Sequence, residues 1–145
     1  MPQTTFPLDG SEWSLMREQV ATIQALVTRK YGAPAFEQTL DDLDHLQRLL
    51  DDKVWDESEE DKFRALGSAF GNVLAKELVF EWVAENDGRG GRRPALILKA
   101  TKALVVQPHK MIVDRVQRGE EIDLRKLADD VKAQVQKTKL LPKLP

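Results

Sequence analysis

The sequence predicts an α+β fold in which three N-terminal helices precede a three-stranded antiparallel β-meander and two C-terminal helices. Three observations lead to this prediction. Apolar residues recur at three- and four-residue intervals up to residue 78, which is typical of amphipathic helices. Residues 80–107 then alternate between apolar and polar side chains and contain glycine-rich turns, as antiparallel strands do. Two further helical patterns follow Pro108, so strands and helices occupy separate parts of the chain.

The length and composition indicate one domain spanning residues 1–145, with flexible ends expected at residues 1–7 and 137–145. A chain of this size buries about 70% of the surface that its unfolded state exposes, so it needs no disulfide or structural metal to fold. The absence of cysteine excludes disulfides, a cysteine nucleophile and thiolate metal sites. The N-terminus lacks the basic and apolar regions of a secretory signal, and no apolar run could span a bilayer. We therefore expect a cytoplasmic protein without membrane contact.

The net charge of −2 is distributed unevenly along the chain. Residues 1–85 contain 17 acidic and 8 basic residues, whereas residues 86–145 contain 7 acidic and 14 basic residues. This asymmetry favours attraction between the two halves, and the alternative interpretation is a basic face for an anionic partner. The basic half lacks interleaved aromatic residues, which argues against stacking on nucleic-acid bases.

Capping signals mark the beginning of the first helix. Asp9 as N-cap and Glu12 three residues later form a capping box, and Trp13 begins an apolar stripe that is expected to face the core. Gly32 provides the helix end. A second helix is predicted to follow the cap residue Thr39.

The acidic segment at residues 54–63 has two interpretations. Its carboxylates invite a divalent-metal site, but the glycine and the ligand spacing of a calcium loop are missing. The simpler prediction is that Ser58 is the N-cap of a third helix, with acidic residues near the positive end of the helix dipole.

The predicted fold is built around the stretch from Phe63 to Val83, which begins as the third helix and ends as the first predicted strand. Gly67 and Gly71 lie one turn apart beside the apolar stripe of this helix. Each glycine costs about 1 kcal/mol relative to alanine in a helix interior, so two of them indicate that something approaches the backbone closely. An internal partner is favoured, and the alternative is a homodimer contact between small residues.

The predicted strands are joined by turn-forming segments, and they are Phe80–Glu85, Ala95–Lys99 and Ala103–Gln107. The loop at residues 86–94 combines glycines with Arg89, Arg92 and Arg93, which could bind an anion. However, it leads into a strand and lacks the helix N-terminus of phosphate-binding loops. A solvated hairpin tip is therefore favoured over anion or nucleic-acid contact.

Two helices are predicted at the C-terminal end, one with Pro108 at its first position and one capped by Asp123. Arg115, Arg118 and Glu120 cluster around the turn between them. This cluster is interpreted as a helix–helix junction held by charged hydrogen bonds, and the alternative is a recognition site for a partner.

Catalytic and metal-binding patterns are missing from the sequence. The two histidines, His45 and His109, belong to no recognisable metal or triad spacing. Acidic residues are plentiful, but no pair is selected for acid–base chemistry. We therefore expect no catalytic, metal or cofactor site.

A distinctive pattern spans four segments of the C-terminal half: Ala65–Leu78, Glu81–Val83, Arg92–Leu98 and Gln107–Leu127. It comprises a glycine-containing helix, a strand with tryptophan, a strand with Pro-Ala, and Pro-x-x-Met-Ile followed by Arg-Val-x-Arg-Gly-Glu-x-x-Asp. In this pattern the chain resembles the bacterial family known as domain of unknown function 3806. The matching positions are Gly67, Phe70, Gly71, Trp82, Pro94, Ala95, Pro108, Met111, Ile112, Arg115, Val116, Arg118, Gly119, Glu120 and Asp123. The resemblance implies a bacterial source and a shared fold, and it carries no activity, cofactor or catalytic residue.

These observations favour a non-catalytic protein-interaction or accessory module that binds a protein partner or a second copy of the chain. The candidate surface for a partner or ligand comprises Trp82, Arg92, Arg93, Arg115, Arg118, Glu120 and Asp123. The first alternative is a small-ligand or enzymatic site near Trp82, Arg115 and Glu120. The second is weak binding of nucleic acid or another anion by the basic C-terminal half, and it is disfavoured.

Overall fold

The predicted α+β class is confirmed. The computed structural model describes residues 4–140, with side chains through Lys139, and within this range it contains five helices and four strands. The helices are α1 (Gly10–Tyr31), α2 (Leu40–Asp51), α3 (Glu60–Leu78), α4 (Pro108–Gln117) and α5 (Leu124–Leu140). The strands are β1 (Thr5–Phe6), β2 (Phe80–Asn86), β3 (Arg92–Leu98) and β4 (Val105–Val106).

The sheet is an antiparallel meander of β2, β3 and β4, as predicted, with β1 added at the free edge of β2. Thr5 pairs with Glu85 and Phe6 with Ala84. A strand of two residues carries too little pattern to be predicted from sequence, and this one lies within the segment 1–7 that was expected to be flexible. Within the other expected flexible end, residues 137–140 continue α5, while residues 1–3 and 141–145 lie outside the described range.

Helix α3 lies at the centre of the fold and packs against the other four helices and the two long strands. Several sides of the helix are buried, and its large buried side chains include Phe63, Leu66, Phe70 and Leu74. On the strand that follows, Phe80, Trp82 and Ala84 are buried, and Phe80 and Trp82 join α3 in one core. Small residues on α3 allow this many neighbours to approach one helix.

The N-terminus of α1 is capped as predicted. The Asp9 carboxylate accepts a hydrogen bond from the Glu12 backbone N–H (2.8 Å), and the Glu12 carboxylate accepts one from the Asp9 backbone N–H (2.9 Å). Gly32 ends the helix in the left-handed conformation (φ 66°). The predicted burial of Trp13 is wrong, because its side chain is 38% exposed. Relative to the buried Met16 it is rotated by about 60° around the helix axis, at the margin of the buried stripe.

The acidic segment before α3 folds as a tight turn. The N-cap is Glu59 rather than the predicted Ser58, and its side chain makes no capping hydrogen bond to α3. Instead, the Glu59 carboxylate accepts from the Asp56 backbone N–H and the Asp56 carboxylate accepts from the Ser58 backbone N–H, each at 2.9 Å. This bond from Ser58 keeps the pKa of Asp56 below its usual value, so Asp56 remains ionised at neutral pH.

The acidic N-terminal half and the basic C-terminal half are joined by ion pairs. Of the seven ion pairs among the described residues, four connect an acid before residue 86 to a base after it: Glu12–Arg92, Glu85–Arg93, Glu81–Lys102 and Asp44–Arg125. Four of the fourteen basic residues of the C-terminal half are therefore paired with acids of the N-terminal half. Each pair is partly exposed, so its contribution to stability is small, about 0–1 kcal/mol.

Within residues 4–140, no helix combines sufficient length with sufficient apolar character to cross a bilayer.

Candidate functional site

Gly67 and Gly71 face other parts of the same chain. A Cβ atom built on Gly67 would lie 2.8 Å from the Cα of His109, at the N-terminus of α4. On Gly71 it would collide with the indole ring of Trp82 and lie 3.1 Å from Pro108 Cγ. The close approach inferred from the two glycines is thus made by α4 and β2, and it brings the α4 backbone directly onto α3.

A buried polar cluster lies at this contact and joins three helices. Ser68 on α3 is fully buried, and its hydroxyl donates to Gln19 Oε1 on α1 (2.6 Å). The same oxygen lies 2.7 Å from Nε2 of His109 on α4. Because the hydroxyl proton is directed to Gln19, Nε2–H of His109 donates to Ser68, which fixes the tautomer of the imidazole.

Burial keeps His109 neutral. Its side chain is only 7% exposed, and desolvation, assisted by the positive charge of Arg64, lowers its pKa from 6.5 to about 4. In this tautomer Nδ1 is an acceptor, and it has no hydrogen-bond partner among the described residues. A nucleophile must touch its substrate, and the Ser68 oxygen is closed off from the surface. The cluster of Gln19, Ser68 and His109 therefore links α1, α3 and α4 through hydrogen bonds, and it is here called the polar lock.

Trp82 belongs to the core next to this lock. It is 8% exposed, its ring lies 5.6 Å from the His109 ring, and Nε1–H donates to Asn72 Oδ1 (2.9 Å). Its hydrogen bond is satisfied within the domain. The indole is therefore almost inaccessible to a partner, although the sequence analysis placed Trp82 on the candidate partner surface.

Two of the three hairpin arginines bind groups of the same chain. Arg92 donates to Glu12 and to the carbonyl of Pro7 (each 2.8 Å), and Arg93 pairs with Glu85 (3.1 Å). Two of the loop N–H groups, which the alternative interpretation offered to an external anion, donate instead to the chain's own Asp87 carboxylate. It accepts from the backbone N–H groups of Arg89 (2.7 Å) and Gly91 (3.0 Å).

The turn between α4 and α5 has the predicted character of a helix–helix junction. Arg118 pairs with Glu120 (2.9 Å), and Gly119 adopts the left-handed conformation (φ 69°) between them. The Asp123 carboxylate accepts from the Lys126 backbone N–H (3.2 Å), as expected of an N-cap. Arg115 makes one hydrogen bond, to the Met111 carbonyl (2.9 Å).

Two surface grooves flank this junction. The first, here called the Trp55 groove, has a volume of about 920 Å³ and lies between the end of α2, the turn before α3, and the α4–α5 turn. Its apolar lining is formed by Leu49, Leu50, Val54, Trp55, Phe63, Val116 and Ile122. Trp55 and Phe63 meet edge to face with ring centroids 5.5 Å apart. Five carboxylates and one lysine also line it: Asp51, Asp56, Glu57, Glu120, Glu121 and Lys53.

The second, here called the Arg115 groove, has a volume of about 440 Å³ and lies between β4, α4 and α5. Val105, Val106, Met111, Leu127 and Val131 supply its apolar lining. Its charged lining comprises Glu85, Lys110, Asp114, Arg115, Arg118 and Asp130. The predicted surface residues are thus divided, because Glu120 lines the first groove while Arg115 and Arg118 line the second.

Gln47 on α2 fixes the wall that the α4–α5 turn contributes to the Trp55 groove. Its amide nitrogen donates to the Ile122 carbonyl (2.8 Å), and its amide oxygen accepts from the Leu124 backbone N–H (2.9 Å). One side chain therefore satisfies two backbone groups at the beginning of α5.

Replacing Gln47 by leucine is expected to lower the free energy of unfolding by about 1–3 kcal/mol, because both backbone groups lose their partner. Urea unfolding measures this loss, and amide hydrogen exchange at Leu124 should accelerate. Gln117→Leu is the matched control, since Gln117 makes a single exposed bond to Glu60. Equal destabilisation by the two variants would contradict the role assigned to Gln47.

Neither the polar lock nor the Trp55 groove was identified from the sequence. The lock joins residues 41 positions apart, and a single histidine after a proline gave no signal of burial. The groove had a weak signal, namely a tryptophan next to acidic residues, but those acids were interpreted as a helix start. Among the described residues, no three histidine, aspartate or glutamate side chains are arranged to hold a metal ion.

Comparisons with known proteins agree with this fold. A family model described as a domain of unknown function (DUF3806) matches residues 42–127, more than half of the chain. No curated protein matches. A crystal structure from Bacteroides thetaiotaomicron VPI-5482, determined at 1.50 Å resolution, is similar, with a TM-score of 0.80 and 20% sequence identity.

The similarity to that structure covers 90% of this chain and 47% of the other, so this chain spans about half of that protein's length. At this sequence identity the likeness concerns the fold alone. The family match, in contrast, runs from the third residue of α2 through α4 and includes the complete α4–α5 turn. The chain belongs to the family of domain of unknown function 3806.

Proposed function

We propose that this domain is a non-catalytic interaction module that binds a basic, apolar peptide segment of a partner protein in the Trp55 groove. The observation that carries the proposal is an apolar lining with a half-buried tryptophan, surrounded by carboxylates. Apolar grooves with aromatic anchors are typical of peptide recognition, and charge around the rim selects the partner.

The chemistry of the occupant follows from this lining. Leucine or another aliphatic side chain would pack on Trp55, because its ring is half-buried, whereas Phe63, which meets it edge to face, is only 6% exposed. Lysine or arginine on either side would face the carboxylates of Asp56, Glu57 and Glu121. An acidic segment would be repelled by the same carboxylates, so charge provides the specificity.

The test uses an N-acetylated, C-amidated peptide of sequence Lys-Lys-Leu-Leu-Lys-Lys. The peptide is titrated into isotope-labelled protein, and the NMR signals of the indole N–H groups are followed. The Trp55 signal is assigned by its loss in Trp55→Phe. We expect the Trp55 signal to move while that of Trp82, bonded to Asn72, stays in place. Replacing the leucines by serines, or the lysines by glutamates, should abolish the shift.

Removing two rim charges in Glu57→Gln/Glu121→Gln should weaken binding of the peptide about twofold to thirtyfold, because exposed charge pairs contribute about 0.2–1 kcal/mol each. Glu77→Gln is the control, since Glu77 is exposed on α3 and does not line the groove. Raising the salt concentration should reduce affinity for the wild type more than for the double variant. Equal binding of the glutamate peptide would refute the proposal.

A further inference from the structure

Arg115 differs from the other cations of the Arg115 groove. Lys110 is paired with Asp114 (2.5 Å) and Arg118 with Glu120 (2.9 Å). Arg115 is half-buried, and among the described residues it has no carboxylate partner, since its one hydrogen bond goes to the Met111 carbonyl. A guanidinium has five N–H donors in a planar fork, so most of the donors of Arg115 remain available.

Withdrawing a guanidinium from water without an anion is unfavourable, and carboxylates are the groups that match its fork with two parallel hydrogen bonds. The surroundings restrict the kind of anion. Glu85 and Asp114 are neutralised by Arg93 and Lys110, but Asp130 also lines the groove, and its negative charge disfavours a doubly charged phosphate. A singly charged carboxylate adds the least repulsion.

The remainder of the groove is suited to an apolar body. The half-buried Val105 and Met111 supply its apolar surface, Leu127 and Val131 line it but are almost fully buried, and the volume of about 440 Å³ lies in the range of small-molecule sites. Because β4 and two helices contribute these residues, the carboxylate position and the apolar surface are held on regular secondary structure.

We propose that the Arg115 groove binds a ligand consisting of an apolar body and one carboxylate, with the carboxylate on the Arg115 guanidinium. Such a group occurs in short aliphatic acids and at the C-terminus of a peptide ending in an apolar residue. This site is separate from the Trp55 groove, and the inference does not depend on the proposed peptide function.

The experiment uses two pairs of probes on the full chain: hexanoate with hexanamide, and N-acetyl-Ala-Val-Leu as free acid and as amide. Chemical-shift changes of backbone amides in α4 and α5 are followed at low salt. We expect at least one acid to bind with shifts at Met111, Arg115 and Val131, and its amide to bind about tenfold more weakly or not at all. Binding of hexanoate identifies a small acid as sufficient, whereas binding of the tripeptide acid alone identifies a chain terminus.

Arg115→Gln should weaken binding of the responding acid about tenfold or more, and Arg115→Lys should weaken it less. Arg89→Gln is the matched control, because it removes the same charge from the exposed hairpin outside this groove. The comparison of acid with amide on the wild type remains informative if Arg115→Gln fails to fold. Equal binding of acid and amide, unchanged binding to Arg115→Gln in its folded state, or no response to any probe would overturn the proposal.

Discussion

Replacing Gly67 by alanine is expected to destabilise the domain, although alanine is the better helix former. The new methyl group would lie 2.8 Å from the Cα of His109, and a backbone atom cannot rotate away as a side chain can. Overpacking of this kind costs about 1–3 kcal/mol, which outweighs the gain in helix propensity of about 1 kcal/mol. Gly67→Leu is expected to prevent folding, since it would also displace α4.

Urea unfolding of Gly67→Ala and Gly10→Ala provides the matched comparison. Gly10 is at the beginning of α1, and a Cβ built there meets nothing within 4 Å, so its replacement should be neutral or slightly stabilising. A rise in stability of Gly67→Ala would contradict the close contact. Light scattering adds a second criterion, because a folded Gly67→Leu that merely loses self-association would point to a dimer contact.

The second large effect is a loss of stability on acidification that originates from His109. The unfolded chain binds a proton at this histidine near pH 6.5, whereas the folded chain does so only near pH 4, because charging would leave an ion buried. Between these values the unfolded state holds more protons, so stability falls as the pH is lowered and reaches its full loss below about pH 4. The loss attributed to His109 alone is about 3 kcal/mol.

His109→Gln tests this assignment, because the glutamine amide can donate to Ser68 without titrating. The variant should be less stable than the wild type at neutral pH, but its free energy of unfolding should change much less between pH 6.5 and pH 4. Carboxylates such as Asp44 and Glu12, whose pKa values are lowered by arginine partners, contribute mainly below this window. An unchanged slope in His109→Gln would show that the dependence arises elsewhere.

Local patterns predicted the parts of the fold that depend on neighbouring residues. The box between Asp9 and Glu12, the end of α1 at Gly32 and the first residue of α4 at Pro108 each follow from chemistry within one turn. The alternation of buried and half-buried residues along β2 is also a local pattern, since it repeats every two residues. Such features can be inferred from sequence because their partners are three or four positions away.

Features that depend on tertiary packing were predicted less well. Trp13 satisfies the helical period, but its burial depends on where α3 lies relative to α1, and it remains exposed. Trp82 was placed on the candidate partner surface, yet its ring fills the space left by Gly71. The Trp55 groove combines residues from Leu49 to Ile122, so no single stretch of sequence describes it.

The candidate site was predicted in part. Arg115, Arg118 and Glu120 were expected to cluster at a junction, and they line the two grooves beside it. What sequence could not provide is the difference between these charges. Arg118 and Glu120 neutralise each other, whereas Arg115 has only a backbone partner, and this distinction depends on side-chain geometry.

The arrangement of short and long strands has a consequence for solubility. The two strands of seven residues, β2 and β3, occupy the middle of the sheet, and each outer position is taken by a strand of only two residues. Unpaired strand edges serve as templates on which other chains add, and short outer strands limit that template. The Arg92 bonds to Pro7 and Glu12 hold the N-terminal segment beside β2. Loss of that segment would expose the edge of β2 and make the domain prone to aggregation through its sheet.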